Sequence, residues 1–330
     1  MRENLKISVL GAGAWGTTIA NLLSEKGFKV TIWAKEREVA KNINERSENN
    51  IFLKGIRLSK NLKASNDLKE ALSSEIIINA IPTQYIRTAL KKYSRYLKDA
   101  YILSLSKGIE LNTFERPSEI LSDITGKDIY VLSGPNFAVE IARKKPAATT
   151  IAGKDHKTRK MFQEILSTDY FRVYENDDII GTEIGGAIKN VVAIAAGMSD
   201  ALNLGYNTKA ALITRGLNEI RKLGKKLGAK DITFLGLSGI GDLILTCNSS
   251  ISRNYSVGYK IGEGVNPLKL ISSMKQVAEG VKTAKALNKL TQKLSIEMPI
   301  SREVYLVIYK NKKPQKALKS LMTRTLKSEF

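Results

Sequence analysis

Ile7-Ser8-Val9-Leu10-Gly11-Ala12-Gly13-Ala14-Trp15-Gly16-Thr17 decides the fold of this chain. A short aliphatic strand runs into a Gly-x-Gly-x-x-Gly turn, and a helical pattern opens at Thr17 and continues to Glu25. In that setting each glycine has its own duty. Gly11 permits the tight turn, Gly13 lets the backbone approach a pyrophosphate, and Gly16 lets helix and strand pack, while the helix N-terminus offers amides to the phosphates. A purely structural glycine turn is the plain alternative, and the strand before it and the helix after it argue against that. The second strand, Val30 to Trp33, runs into Ala34-Lys35-Glu36-Arg37. Lys35 and Arg37 suit a 2′-phosphate and Glu36 suits a 2′-hydroxyl, so the nucleotide preference reads as mixed; solvated side chains would look the same.

Further along, aliphatic runs at Glu75 to Ile81, Tyr101 to Leu105, Ile129 to Leu132, Ala148 to Ala152 and Phe171 to Tyr174 alternate with helix-like segments. The latter include Asp67 to Leu72, Gln84 to Leu97 and Lys157 to Leu166. This alternation predicts an α/β Rossmann-type, doubly wound, mostly parallel sheet over residues 1–176. After Asp177 long helical periodicities take over: Asp178 to Leu202, Lys209 to Leu227, Ala278 to Lys293 and Lys316 to Leu326, with Gly-rich breaks near 236–241 and 262–264. An all-α domain is therefore expected over 177–330.

A length of 330 residues with 43% hydrophobic residues fits two cores. The 53 Lys and Arg against 32 Asp and Glu give a net charge of +21, which invites an anionic partner. The lysines are scattered, however, and aromatics are only 7%, so no basic-aromatic platform for nucleic acid emerges and solvated surface charge is expected. Cys247 is the sole cysteine and His156 the sole histidine. That composition leaves no intrachain disulfide, no metal-ligand cluster and no Ser/His/Asp constellation. Glu3 and Lys6 interrupt the N-terminal apolar stretch as a signal peptide, and no apolar run approaches a membrane span. The expectation is a soluble cytoplasmic protein.

Lys189 is the only charge between Glu183 and Asp200. On a helix its neighbours three and four residues away are Gly185, Gly186, Val192 and Ala193, so its carboxylate partner lies elsewhere or its proton is chemically employed. A lysine snorkelling from an apolar helix is the plain alternative. Ser106-Lys107-Gly108 and Ser133-Gly134-Pro135-Asn136 follow strands, at the sheet edge where ligands bind; turn chemistry is the plain alternative for both, and Gly-Pro-Asn alone would satisfy it, while Lys107 is harder to dismiss. Gly241-Asp242 and Ser252-Arg253-Asn254 lie in loop-like contexts. Arg253 suits bidentate phosphate recognition or is a surface arginine, and Asp242 is an acid or an N-cap.

Taken in order, Gly11-Ala-Gly-Ala-Trp-Gly-Thr17, Ser106-Lys-Gly108, Ser133-Gly-Pro-Asn-Phe-Ala138, Glu183-Ile-Gly-Gly-Ala-Ile-Lys-Asn-Val191, Gly241-Asp242, Ser252-Arg-Asn254, Val277-Ala-Glu-Gly280 and Leu321-Met-Thr-Arg324 make the chain resemble the bacterial-type NAD(P)-dependent glycerol-3-phosphate dehydrogenases over essentially its whole length. The resemblance implies reversible reduction of dihydroxyacetone phosphate to sn-glycerol 3-phosphate, the glycerophospholipid backbone, with NAD(P)H as cofactor, usually in a homodimer. It implies that Lys189 exchanges the proton at the C2 oxygen with Asp242 beside it. Substrate contacts fall on Lys107, Gly134, Asn136, Asp242, Ser252, Arg253 and Asn254. Cofactor contacts fall on Ala14, Trp15, Lys35, Glu36, Phe52, Lys107, Ala138, Arg253, Val277 and Glu279, beside Gly11, Gly13 and Gly16 of the turn. The chain departs from the family pattern at Asn136 (serine is usual), Phe52 (tyrosine), Lys54 (proline) and Glu36 (often arginine). Rival readings are another two-domain hydroxy-acid or sugar-acid dehydrogenase, which needs a carboxylate site, and a basic nucleotide- or nucleic-acid-binding protein without turnover.

Overall fold

The computed structural model describes residues 5–97, 99–274, 278–326 and 328–329. Its eight strands are β1 (Lys6–Leu10), β2 (Lys29–Trp33), β3 (Lys63–Ser65), β4 (Ile76–Asn79), β5 (Tyr101–Ser104), β6 (Ile129–Ser133), β7 (Ala147–Ala152) and β8 (Phe171–Asn176). They form one sheet in the order β3-β2-β1-β4-β5-β6-β7-β8, parallel except for the β6–β7 pair. The reversal of direction between β1 and β4 in strand order opens a crevice at the carboxyl edge of the sheet.

Continuous aliphatic strands are what a sheet covered on both faces requires. Successive residues face opposite layers, so Ile7, Val9, Ile76 and Ile78 join one core with Ile19 and Leu23, whereas Leu10, Ile77, Ile102 and Ile129 join another with Ile86, Leu90 and Ile120. The sequence reading misses β3, because its three residues Lys-Ala-Ser carry no apolar run and lie on the sheet edge. It also misses helices Arg37–Arg46, Pro117–Thr125 and Pro299–Lys310, although the last two begin with proline at a first-turn position. The helix expected over Gln84 to Leu97 is α-helical only at Ile86–Leu90 and tightens into 3₁₀ turns on either side.

The chain forms two compact units. One comprises Met1–Lys107 and Glu115–Glu183, the other Gly108–Phe114 and Ile184–Phe330. The division expected at 176/177 thus falls at 183/184, inside a helix, and a short segment from the middle of the first half belongs with the second unit.

The 23-residue helix Ile179–Ala201 is long and apolar enough to cross a membrane, contrary to the reading of the sequence. It is mostly buried, and its apolar character serves packing inside the protein. Close approach explains two of its glycines. A Cβ on Gly185 would meet the Ser238 carbonyl oxygen at 2.4 Å, and one on Gly197 would meet that of Tyr255 at 2.1 Å.

Elsewhere in the helical unit, buried Glu219 on helix Gly205–Lys226 accepts hydrogen bonds from the Ile300 amide (2.6 Å), the Ser301 amide (3.1 Å) and the Ser301 hydroxyl (2.8 Å), satisfying the first turn of helix Pro299–Lys310. Burial pushes its carboxyl up to about 7, against the pull of these donors. A raised carboxyl pKa means that the folded state binds the proton more tightly. The stability it contributes is complete below the ordinary value and is lost as pH rises through about 7. Urea titrations at pH 5 and pH 8 are expected to show Glu219→Gln with a flatter pH dependence than the parent, by up to about 3 kcal/mol. An unchanged difference between the two pH values would show that Glu219 does not carry it.

Candidate active site

In the first unit, β2, β1, β4, β5 and β6 run parallel, so their carboxyl ends share one edge. Gly11 leaves β1 with φ +113°, and a Cβ there would meet the Ala80 carbonyl oxygen at 2.9 Å. A Cβ on Gly16 would lie 2.0 Å from the Gly11 oxygen. Gly13 differs, since a Cβ there meets nothing within 4 Å. Its smallness answers to nothing among the described residues. Gly13 is also the N-cap of helix Ala14–Glu25, and no side chain caps that helix. The first-turn amides are thus left to an anion. These features fit a dinucleotide pyrophosphate.

Around this turn, half-buried Trp15 stands edge-on to Phe171 at 6.3 Å, and its indole Nε1 has no hydrogen-bond partner among the described residues. Phe52 and Ala138 pack against the same core. At the end of β2, Lys35, Glu36 and Arg37 are exposed, and Glu36 makes no capping bond to the helix it precedes. All three are open to the solvent side, where a ribose would be read.

After β5, Lys107 Nζ donates to the Gly134 carbonyl (3.1 Å). The glycine at 134 is demanded by Thr149, whose Cα would lie 3.0 Å from a Cβ there. Asn136 Nδ2 donates to Thr149 Oγ1 (2.8 Å), and that hydroxyl donates onward to the Ser133 carbonyl (3.1 Å). The direction of this chain fixes the amide, leaving Asn136 Oδ1 as a buried acceptor without a donor among the described residues.

In the second unit, Lys189 is buried and donates to the Asp242 carboxylate and to Thr246 Oγ1 (2.8 Å). Both partners come from helix Asp242–Cys247, one turn apart. The preceding π-type turn Leu237–Gly241 rests against Gly185, and this close approach brings Asp242 to the lysine. Asp242 is therefore not the N-cap that a loop-like setting allows, because it is already helical and its side chain turns toward Lys189. The snorkelling alternative for Lys189 fails on burial. Charged groups are retained inside only when paired, and the carboxylate supplies that pairing.

Ser252-Arg253-Asn254 is likewise not a loop. Ser252 caps helix Arg253–Gly262, its hydroxyl accepting the Tyr255 amide (3.3 Å), so Arg253 and Asn254 occupy the first turn. Arg253 is exposed and interacts with Glu279, whose carboxyl burial pushes up to about 7. Asn254 Nδ2 donates to Asn190 Oδ1 (2.9 Å) and its Oδ1 accepts the Gly280 amide (3.0 Å), joining three helices. Val277 lies outside the described residues.

The structure thus gathers Gly11 to Gly16, Phe52, Lys107, Gly134, Asn136 and Ala138 on the first unit, and Lys189, Asp242, Ser252, Arg253, Asn254 and Glu279 on the second. Sequence reasoning misses Thr246, though it stands one helical turn after Asp242, and Asn190, though it adjoins Lys189.

Comparison with known proteins finds matches for both halves of the chain. Residues 6–159 match the family model for the NAD-dependent glycerol-3-phosphate dehydrogenase N-terminus and 178–319 that for its C-terminus. The chain is 47% identical over 330 residues to the glycerol-3-phosphate dehydrogenase [NAD(P)+] of Citrifermentans bemidjiense, covering 98% of each chain. It is also 47% identical to the enzyme of that name from Solidesulfovibrio magneticus, covering 98% of this chain and 100% of the relative. A crystal structure of glycerol-3-phosphate dehydrogenase from Coxiella burnetii superposes with a TM-score of 0.94 at 35% identity, over 98% of this chain and 100% of that one. With both halves matched in order and the fold shared end to end, the chain belongs to the NAD-dependent glycerol-3-phosphate dehydrogenase family.

Proposed function

We propose that this protein reversibly reduces dihydroxyacetone phosphate to sn-glycerol 3-phosphate with NAD(P)H. The observation that carries the reading beyond membership of the family is the buried Lys189, held by Asp242 and Thr246 in an otherwise uncharged stretch of helix. When bound, the reduced nicotinamide supplies the hydride for C2. Lys189 gives a proton to the C2 oxygen as the ketone becomes an alkoxide, and the reverse reaction returns it. Asp242 and Thr246 orient the ammonium and stabilise its charge. Lys107 and Arg253 are the cations assigned to the phosphate, with Asn136, Ser252 and Asn254 around the remaining polar atoms. Trp15, Phe52, Ala138, Arg253 and Glu279 are assigned to the nucleotide. Homodimeric assembly and a cytoplasmic location complete the proposal on the strength of the family resemblance, and light scattering tests the first.

The decisive assay follows loss of reduced-nicotinamide absorbance with dihydroxyacetone phosphate and with unphosphorylated dihydroxyacetone. Turnover of the phosphorylated ketone alone supports the reading. Turnover of neither, together with salt-steep binding of DNA or RNA, would replace it with a basic binding protein.

Cofactor preference is a separate expectation. Exposed Lys35 and Arg37 favour a 2′-phosphate and Glu36 opposes it, so both nucleotides should serve, with NADPH preferred by about tenfold. Lys35→Glu is expected to reverse that preference. Retention of the parental NADPH/NADH ratio by this variant would remove Lys35 from the ribose site.

A further inference from the structure

A buried asparagine outside every motif in the sequence sits directly behind the glycine turn. Asn49 is 1% exposed. Its Nδ2 donates to the Ala12 carbonyl (2.9 Å) and to Thr17 Oγ1 (2.8 Å), and its Oδ1 accepts the Phe52 amide (3.2 Å). The amide orientation is not interchangeable. Thr17 Oγ1 gives its own proton to the Ala12 carbonyl (3.2 Å), so it can only accept from Asn49, and the Phe52 amide can only donate. Both hydrogens of the Asn49 amide and its oxygen are thus used, and Ala12 and Thr17 are themselves buried.

We infer that Asn49 is a positioning residue for the cofactor. It holds the Ala12 carbonyl inward, so that the turn presents amide hydrogen rather than carbonyl oxygen to a pyrophosphate, and it ties the Phe52 backbone to the same turn. A peptide plane that flips in such a turn replaces a donor facing the phosphate with an acceptor. Gly13, which follows the Ala12 carbonyl in the chain, imposes no barrier of its own to such a flip. The barrier comes from the buried polar network, which has one arrangement that satisfies all its members. The assignment rests on the nucleotide-binding reading of the first unit and is independent of the identity of the substrate.

The test compares the parent with Asn49→Asp and Asn49→Ala. The aspartate is isosteric and still accepts from Phe52, but it places an oxygen against the Ala12 carbonyl and negative charge behind the phosphate turn. Affinity for NADPH and for ADP-ribose, measured by calorimetry without turnover, is expected to fall at least about tenfold in both variants. At saturating NADPH, kcat and the KM for dihydroxyacetone phosphate should stay within about threefold. If the variants unfold, Thr17→Val removes one arm of the network and should weaken ADP-ribose in the same direction. Folded variants with parental ADP-ribose affinity would show that Asn49 only packs. A parallel loss in kcat and in both KM values would show general collapse of the fold and would equally overturn the assignment. A parent that binds ADP-ribose but does not reduce dihydroxyacetone phosphate would refute the proposed activity and leave the role of Asn49 standing.

Discussion

Lys189→Met is expected to lower kcat by roughly two to four decades, because methionine keeps the apolar stem and has no proton to give. The structure adds a cost that an isolated snorkelling lysine would not carry. Asp242 is 1% exposed, and removal of Lys189 takes from its carboxylate the ammonium that pairs with it. Stripping one partner from a buried pair typically costs about 3 to 5 kcal/mol. The single variant should therefore be destabilised in urea unfolding at neutral pH. Lys189→Met with Asp242→Asn should regain much of the stability and none of the turnover. That split separates proton transfer from simple charge balance. A single variant that turns over at the parental rate would end the assignment of the proton to Lys189, and a double variant that recovers activity would do the same.

Arg253→Ala is expected to weaken kcat/KM for dihydroxyacetone phosphate by about 2 to 4 kcal/mol, or two to three decades. Folding should be little changed, since the side chain is exposed and the helix keeps its Ser252 cap. Arg253→Lys should restore only part of the loss, because an ammonium lacks the planar fork that meets two phosphate oxygens at once. The comparison with unphosphorylated dihydroxyacetone gives the cause. If Arg253 grips the phosphate, the alanine variant loses its discrimination between the two ketones; if discrimination survives, the phosphate is held elsewhere.

The first unit is legible in the sequence because its signals are local. A strand, three spaced glycines and a helix stand next to one another, and strand ends such as Ser106-Lys107 fall at predictable places on a parallel sheet. Lys189 is legible by contrast, as one charge in a long uncharged run. What escapes is whatever depends on distant residues. Only the family resemblance puts Asp242 beside Lys189, whereas Thr246 reaches the lysine from more than fifty positions away and Asn49 reaches Ala12 and Thr17 across more than thirty, with no periodicity to announce any of these contacts. The Ser-Arg-Asn triplet is a different kind of miss. Serine before a helical run is a capping signal, and reading the triplet as a ligand motif obscured the helix it begins.

The segment Gly108–Phe114 belongs to the helical unit although the chain on both sides of it belongs to the sheet. Ile109 within it is fully buried and Glu110 nearly so. During synthesis this stretch leaves the ribosome long before the helices from residue 184 onward. At about 5 to 20 residues per second, the roughly 70 residues between Phe114 and Ile184 alone take on the order of four to fourteen seconds to appear. The nascent sheet must therefore hold out an unfinished loop, with an aliphatic side chain awaiting cover, for that whole interval. A fragment ending at residue 183 would hold it out permanently, making premature termination or proteolytic nicking near that boundary a source of sticky, chaperone-dependent species rather than of a self-sufficient nucleotide-binding module.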